Sequence, residues 1–216
     1  MGRSDQAPGK PGRVAVSSEG SMTPSDRFCE ALVFAVRLHA DQRRKASDVP
    51  YAAHLLKVTA LALEHGADED EAIAALLHDA VEDQGGVASR EEIRRRFGDR
   101  VTEIVVGCSD TDRTPKPPWR DRKEAYLAHL PHASSSVRLV CACDKLDNVR
   151  ALIAGYRLLG ESLWQRFRGG REGTLWYHRR VAEILKAAGT TPLVEELERA
   201  VGALEELVGQ GPQESI

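Results

Sequence analysis

Apolar residues recur at intervals of three and four along most of the chain, and this spacing is the feature that most limits the possible folds. The stretch RFCEALVFAVRLHADQRR, for example, places Phe28, Leu32 and Ala35 on one helical face. No long segment alternates apolar and polar residues, as a half-buried strand does, and the sequence contains no internal repeat. The sequence therefore predicts an all-α fold, built as a single-domain helical bundle.

Local signals mark where the predicted helices begin and end. Ser25 and the Ser134 region supply N-terminal capping side chains, and Gly66 supplies a C-terminal cap. We expect one continuous helix from Asp68 to Asp83, with an acidic first turn that the helix dipole favours. The segment around Gly98 predicts two short helices separated by a break.

The chain divides into three predicted segments. Residues 1–23 are rich in Gly, Pro and Ser and lack the apolar stretch of a secretion signal, so we expect a disordered leader. Residues 24–190 carry the successive helical patterns and form the predicted domain. Residues 191–216 predict a C-terminal amphipathic helix and tail, which packs either on the domain or against a partner.

Composition excludes several classes of function. The 216 residues carry a formal net charge of -3, which gives no overall attraction to nucleic acid or to an anionic membrane. No apolar stretch is long enough to span a bilayer. The four cysteines form no C-x-x-C pair, and we expect reduced thiols, with Cys141 and Cys143 as small buried hydrophobes. The sequence therefore predicts a cytoplasmic protein that binds neither nucleic acid nor membrane.

The segment AALLHDAVED places two ionisable pairs at the end of an apolar run. On a helix, His78 aligns with Glu82, and Asp79 aligns with Asp83. Burying unpartnered carboxylates costs several kcal/mol, so a compensating cation is expected, and imidazole with carboxylate suits Mn²⁺, Fe²⁺ or Zn²⁺. His54 on the preceding helix has the same apolar surroundings.

A further carboxylate, Asp144, lies inside the apolar run VCACDKLDNV, and Asn148 follows one turn later on the same face. Each of these polar residues, taken singly, is also explained by a structural role, such as a satisfied core histidine or a paired aspartate. The combined pattern, H…HD…D on three predicted helices, predicts a metal site.

These segments together resemble the HD superfamily of metal-dependent phosphohydrolases. More narrowly, they are similar to the hydrolase domain of RelA/SpoT homologues, especially the small alarmone hydrolases. The resemblance spans roughly residues 25–185 and implies an HD-type helical bundle over most of the chain. It rests on four stretches: HADQRRKASDVPYAAHLLKV, AALLHDAVED, RRRFGDRVTEIVVGCSD and LPHASSSVRLVCACDKLDNVRAL.

The resemblance also implies roles for individual residues. The metal ligands, which hold Mn²⁺ in the family, correspond to His54, His78, Asp79 and Asp144. The pair that positions and activates the attacking water corresponds to Glu82 and Asp83. The substrate-binding residues correspond to Arg44, Lys45 and Asn148, and a late helix brings Tyr177 and Arg171 over the substrate.

The activity that the resemblance implies is hydrolysis of the 3′-pyrophosphate of ppGpp or pppGpp, giving GDP or GTP and pyrophosphate. The E-D pair and the segment from R-K to P-Y favour this reading. Alternatives are hydrolysis of (p)ppApp, removal of a phosphate from NADPH, a 5′-deoxynucleotidase, or a non-catalytic nucleotide-binding module. The loop KASDVPY departs from the common S-G-E-P-Y form, so base preference stays open. The expected partner is a small-molecule nucleotide, and self-association stays open.

Overall fold

The structure is a computed structural model that describes residues 24–113 and 115–211, so the predicted leader lies outside the described residues. The α-helices are α1 (Asp26–Leu38), α2 (Ala52–Glu64), α3 (Glu69–Leu77), α4 (Ala80–Asp83), α5 (Val87–Cys108), α6 (Trp119–His129), α7 (Ser135–Leu159), α8 (Gly170–Ala188) and α9 (Pro192–Gly209). Short 3₁₀ helices cover Leu130–His132 and Gly160–Arg166. The described residues form no strand beyond an isolated bridge between Arg43 and Pro50. The prediction of an all-α fold is confirmed.

Capping side chains fix the starts of the helices where the sequence indicated. The Ser25 hydroxyl accepts hydrogen bonds from the amides of Arg27 and Phe28 at the start of α1. Asp68 and Glu71 form a reciprocal capping box at the start of α3, satisfying backbone donors that the helix itself cannot. None of the described helices is both long and apolar enough to cross a lipid bilayer.

The prediction of one continuous helix from Asp68 to Asp83 is wrong. Helix α3 ends at Leu77 and α4 begins at Ala80, with a turn at His78 and Asp79 between them. In a continuous helix, neighbouring side chains point in different directions. The turn instead allows both side chains to approach one point, with His78 Nε2 at 2.9 Å from Asp79 Oδ2.

The break predicted near Gly98 is present. Helix α5 contains a kink at Gly98, whose φ of 85° and ψ of 176° are not helical. Its positive φ is a conformation that glycine adopts at little cost. The kink splits α5 into two helical segments whose Ile93, Phe97, Val101 and Val105 side chains are all buried.

Helix α7 runs through the centre of the bundle, with α2, α5, α8 and α9 packed against it. Its residues Leu146, Val149 and Leu152 are buried in the core. Helix α9 packs against α7 and α8, and its Leu197 and Leu204 side chains are fully buried. The C-terminal amphipathic helix therefore packs on the domain, one of the two arrangements expected for it.

Candidate active site

Four ionisable side chains from three parts of the chain meet beside α7. His54 comes from α2, His78 and Asp79 from the turn between α3 and α4, and Asp144 from α7. His54 Nε2 lies 3.2 Å from Asp144 Oδ1 and 3.6 Å from Asp79 Oδ2. His78 Nε2 lies 2.9 Å from Asp79 Oδ2 and 3.6 Å from Asp144 Oδ1. The structure thus brings together all four residues that were predicted as metal ligands.

The two histidines present their Nε2 atoms to this cluster because their Nδ1 atoms are already bonded. His54 Nδ1 lies 2.7 Å from Asp147 Oδ2, and His78 Nδ1 lies 2.8 Å from the carbonyl of Ala75. Both Nε2 atoms are buried, and neither makes a well-formed hydrogen bond with a described residue. Outer hydrogen bonds of this kind fix the tautomer of histidines that bind metals.

The donor atoms are close enough to share one ion. One ligand atom from each of His54, His78 and Asp144 lies within 4.8 Å of the other two. Two imidazole nitrogens with carboxylate oxygens are a set that divalent transition metals bind. The residues present therefore fit a divalent cation.

The charges of the cluster support the same conclusion. Burial alone would lower the pKa of His54, but the neighbouring carboxylates of Asp144, Asp147 and Asp79 raise it to about 9. Burial would raise the pKa of Asp144, but Lys145 and both histidines hold it well below its usual range. The carboxylates thus create a negative field that attracts a positive charge to the imidazoles, either a proton or a metal cation.

Two side chains that sequence reasoning did not assign to the site hold its ligands in place. The Tyr51 hydroxyl donates a hydrogen bond to Asp79 Oδ2 at 2.5 Å, and its ring stacks on His39. Asp147 accepts from His54 and from Arg44 Nη2, the latter at 3.1 Å. A signal existed for Asp147, because it lies three residues after Asp144 and between the apolar residues Leu146 and Val149 of the same helix.

The predicted catalytic pair, Glu82 and Asp83, lies on α4 beside the cluster, but its two members differ. Glu82 Oε1 lies 3.2 Å from Lys116 Nζ and 3.3 Å from Arg122 Nη1, while no described residue bonds to Oε2. Asp83 is held through both oxygens, by Lys116 at 3.0 Å and by the Gln42 amide at 2.9 Å. Burial raises the pKa of Glu82 despite the opposing attraction of Lys123.

A buried ion pair between Asp110 and Arg122 contacts Glu82 and supports its position. Arg122 on α6 is 6% exposed and pairs with Asp110, which also lies 2.7 Å from Lys123 Nζ. Arg122 further donates to the carbonyl of Pro117 at 3.2 Å, which ties it to the loop that carries Lys116. The Asp110–Arg122 pair therefore fixes the direction in which Glu82 presents its carboxylate. Sequence reasoning missed this pair, because nothing local distinguishes it from a surface salt bridge.

The cluster opens into a cavity of about 500 Å³. The predicted substrate residues Arg44, Lys45, Asn148 and Tyr177 line it. The placement predicted for Arg171 is wrong. This residue lies on the first turn of α8, and its guanidinium faces α9. It donates to the carbonyl of Val208 at 3.2 Å and pairs with Glu161 at 3.4 Å.

Two of the cavity residues also belong to the network around the cluster. Arg44 Nη1 donates to Asn148 Oδ1 at 3.0 Å. Asn148 Nδ2 in turn donates to Asp144 Oδ1 at 2.5 Å. The guanidinium of Arg44 is therefore anchored between Asp147 and Asn148, whereas Lys45 is exposed. A ligand in this cavity would contact a preformed polar network on the α7 side.

Comparison with known proteins identifies similar chains. The HD domain family model matches residues 31–175. The guanosine-3′,5′-bis(diphosphate) 3′-pyrophosphohydrolase of Xenopus tropicalis is 40% identical over 126 residues, which cover 57% of this chain and 68% of that protein. The Homo sapiens protein with the same description is 36% identical over 129 residues, which cover 58% of this chain and 69% of that protein.

A solved structure, described as a metazoan ortholog of SpoT that hydrolyses ppGpp, is similar along most of its length. Its TM-score is 0.70 at 27% identity, covering 84% of this chain and 97% of that one. The range matched by the family model contains the whole His–Asp cluster and the Glu82–Asp83 pair.

Proposed function

The chain belongs to the HD domain family, and from this membership and the geometry of its cavity we propose that it is a metal-dependent phosphohydrolase acting on ppGpp or pppGpp. The reaction removes the 3′-diphosphate and gives GDP or GTP and pyrophosphate. The observation that carries this proposal is the buried His–Asp cluster with a carboxylate of raised pKa beside it, at one end of a cavity rich in cations.

The metal ligands in this proposal are His54, His78, Asp79 and Asp144. The donor set fits a divalent transition metal, and we assign Mn²⁺ as the ion used. When bound, such an ion polarises a phosphoryl oxygen and lowers the pKa of water. Asp147 and the Ala75 carbonyl hold the two imidazoles in the tautomer that leaves Nε2 free to bind.

Glu82 accepts the proton of the attacking water in this mechanism. Its Oε1 is held by Lys116 and Arg122, which leaves Oε2 without a bond to a described residue. Because burial raises its pKa, the Glu82 carboxylate is a stronger base than an ordinary surface carboxylate. Asp83, held through both oxygens, keeps Lys116 and Gln42 in position and completes the wall beside Glu82.

The charge of the cavity fits a substrate with several phosphates. Nine lysine and arginine side chains and four carboxylates line it, although the whole chain carries a formal net charge of -3. A cleft that concentrates one sign of charge focuses the field and attracts ligands of opposite charge. A polyanionic nucleotide matches this cavity better than a nucleoside monophosphate does. We place this activity in the cytoplasm, in keeping with the four free cysteines.

A product assay tests the proposal. The protein is incubated with Mn²⁺ and, separately, with ppGpp, GTP, deoxynucleoside monophosphates, (p)ppApp and NADPH, and the products are separated. We expect pyrophosphate and GDP from ppGpp, and no product from ppGpp with Glu82→Gln, which keeps the shape of the side chain but cannot accept the proton. Phosphate release from deoxynucleoside monophosphates alone would refute the proposal, as would turnover of NADPH without turnover of ppGpp.

A further inference from the structure

The cations that line the cavity fall into two groups. Those of the first group each have a carboxylate partner: Arg44 pairs with Asp147, Lys116 with Asp83, Arg122 and Lys123 with Asp110, and Lys145 with Asp144. The second group comes from two other segments that line the same cavity, and we call it the outer rim. Its members are Arg43, Lys45, Arg166 and Arg168.

The outer rim is not neutralised by the protein. In the described part of the chain, no carboxylate lies within 4.0 Å of the charged groups of its four members. All four residues are exposed. Uncompensated cations at the mouth of a cavity favour an anionic ligand, because each gains an oppositely charged partner without losing an existing one.

The fold holds the two segments of the outer rim together. Arg43 and Lys45 belong to the loop between α1 and α2, whereas Arg166 ends the second 3₁₀ helix and Arg168 lies between that helix and α8. Arg166 Nη1 donates to the carbonyl of Lys45 at 3.1 Å, which links the segments directly.

Both segments also pack on α7 at the same residue, Gly155. A Cβ atom there would lie 3.3 Å from Ala46 Cβ and 3.0 Å from Leu163 Cδ1. Ala46 and Leu163 are both buried. The missing side chain of Gly155 thus allows the loop and the 3₁₀ helix to meet over α7, so the outer rim is a preformed feature of the fold.

The two segments of the outer rim pack on α7 at Gly155, eleven residues after Asp144, which corresponds to about 16 Å along the helix axis. Asp144 and Leu152 both line the cavity on α7, and a rise of 1.5 Å per residue separates them by about 12 Å along the helix axis. Asn148 and Ala151 line the intervening wall. A ligand that reaches both ends must carry two anionic groups joined by a spacer, as a nucleoside phosphorylated at its 3′ and 5′ positions does.

We propose that the outer rim binds the 5′-diphosphate of the nucleotide whose 3′-diphosphate is cleaved at the His–Asp cluster. This inference rests on the proposed function, and it adds a second recognition point to it. The 5′-phosphates then act through binding, since they lie away from the bond that breaks. The enzyme should therefore select nucleotides phosphorylated at both positions over those with a free 5′-hydroxyl.

The test compares two substrates in the presence of Mn²⁺: ppGpp and guanosine 3′-diphosphate, which has a 5′-hydroxyl. The variant is Arg43→Gln combined with Arg168→Gln, which leaves the Arg166–Lys45 link intact. The matched control is Arg157→Gln, an exposed arginine on α7 that does not line the cavity. We expect the double variant to raise KM for ppGpp about tenfold, the effect of losing charge-assisted contacts at an exposed rim. Its KM for guanosine 3′-diphosphate and its kcat for both substrates should change less than about twofold, as should all values for the control.

Three outcomes would overturn the inference. An equal rise in KM for both substrates would mean a general electrostatic effect, and no rise for either would mean that the outer rim makes no contact. Equal KM values of the unaltered enzyme for the two substrates would show that the outer rim does not bind the 5′-diphosphate. If the unaltered enzyme cleaves neither nucleotide, the proposed function fails. The outer rim is then tested by calorimetry in the presence of a chelator: GDP should bind the unaltered protein about tenfold more tightly than the double variant, and equal affinity refutes the inference.

Discussion

Replacement of Asp147 by asparagine tests whether the arrangement around His54 serves metal binding. Asp147 is 3% exposed, and its Oδ2 receives His54 Nδ1 at 2.7 Å and Arg44 Nη2 at 3.1 Å. An asparagine keeps the volume but removes the charge, so its amide oxygen accepts from His54 and Arg44 more weakly than the carboxylate does. Loss of an outer partner of this kind lowers metal affinity about 10- to 100-fold, or roughly 1.4 to 2.8 kcal/mol.

The affinity for Mn²⁺ is measured by calorimetry at fixed pH on the unaltered protein, on Asp147→Asn and on a control. The control is Lys57→Gln, because Lys57 also faces Asp147, at 3.6 Å, but its side chain is 66% exposed and contributes little. We expect weaker Mn²⁺ binding only in Asp147→Asn. Unchanged affinity in that variant, with the fold intact by circular dichroism, would refute the assignment of His54 and its outer partner to a metal site.

Three other perturbations have outcomes that follow from the structure. Arg122→Lys keeps the charge but loses the forked geometry that holds Glu82. We expect kcat to fall about tenfold with Mn²⁺ affinity unchanged, and an unchanged kcat would show that Glu82 does not need this support. Gly86→Ala should lower the free energy of unfolding by about 1–3 kcal/mol in urea titrations, because φ is 56° there and a Cβ atom would lie 2.6 Å from the carbonyl oxygen of Asp112. An unchanged free energy of unfolding would contradict the close approach of Gly86 to Asp112. Burial lowers the pKa of His178 to about 3, whereas the imidazole has a pKa of 6.5 in the unfolded chain. Between these two pH values the unfolded chain therefore binds one proton more than the folded chain does. Stability should therefore fall by about 1.4 kcal/mol per pH unit between pH 6.5 and 3 from this residue alone, and His178→Gln should remove that part of the slope; parallel slopes in the two proteins would contradict it.

Helical periodicity accounts for most of what the sequence could predict about the site. His54 and Asp144 lie in apolar runs, where the burial of each polar residue is evident from its neighbours, and the fold brings them to His78 and Asp79. The alignment of His78 with Glu82 assumed an unbroken helix, which the turn before Ala80 does not provide. The convergence of His78 and Asp79 depends on that turn, and no residue in the local sequence signals it.

The features that sequence reasoning missed depend on tertiary pairing. Asp110 and Arg122 belong to a loop and to α6, and their role as a support for Glu82 arises only where α4 lies beside them. The family resemblance placed both Arg171 and Tyr177 over the substrate, but the two side chains are on different faces of α8. A charged residue near a helix terminus can face the cavity or a neighbouring helix, and only the packing of α9 decides between them.

The release of pyrophosphate from ppGpp, with and without metal, tests the central claim most directly. The protein is treated with a chelator, assayed, and assayed again after Mn²⁺ is restored, together with Asp79→Ala, which removes one proposed ligand at the turn between α3 and α4. Metal-dependent hydrolysis at this cluster predicts no release after chelation, recovery with Mn²⁺, and no release from Asp79→Ala in either condition. Undiminished release from the chelated protein or from Asp79→Ala would contradict the account.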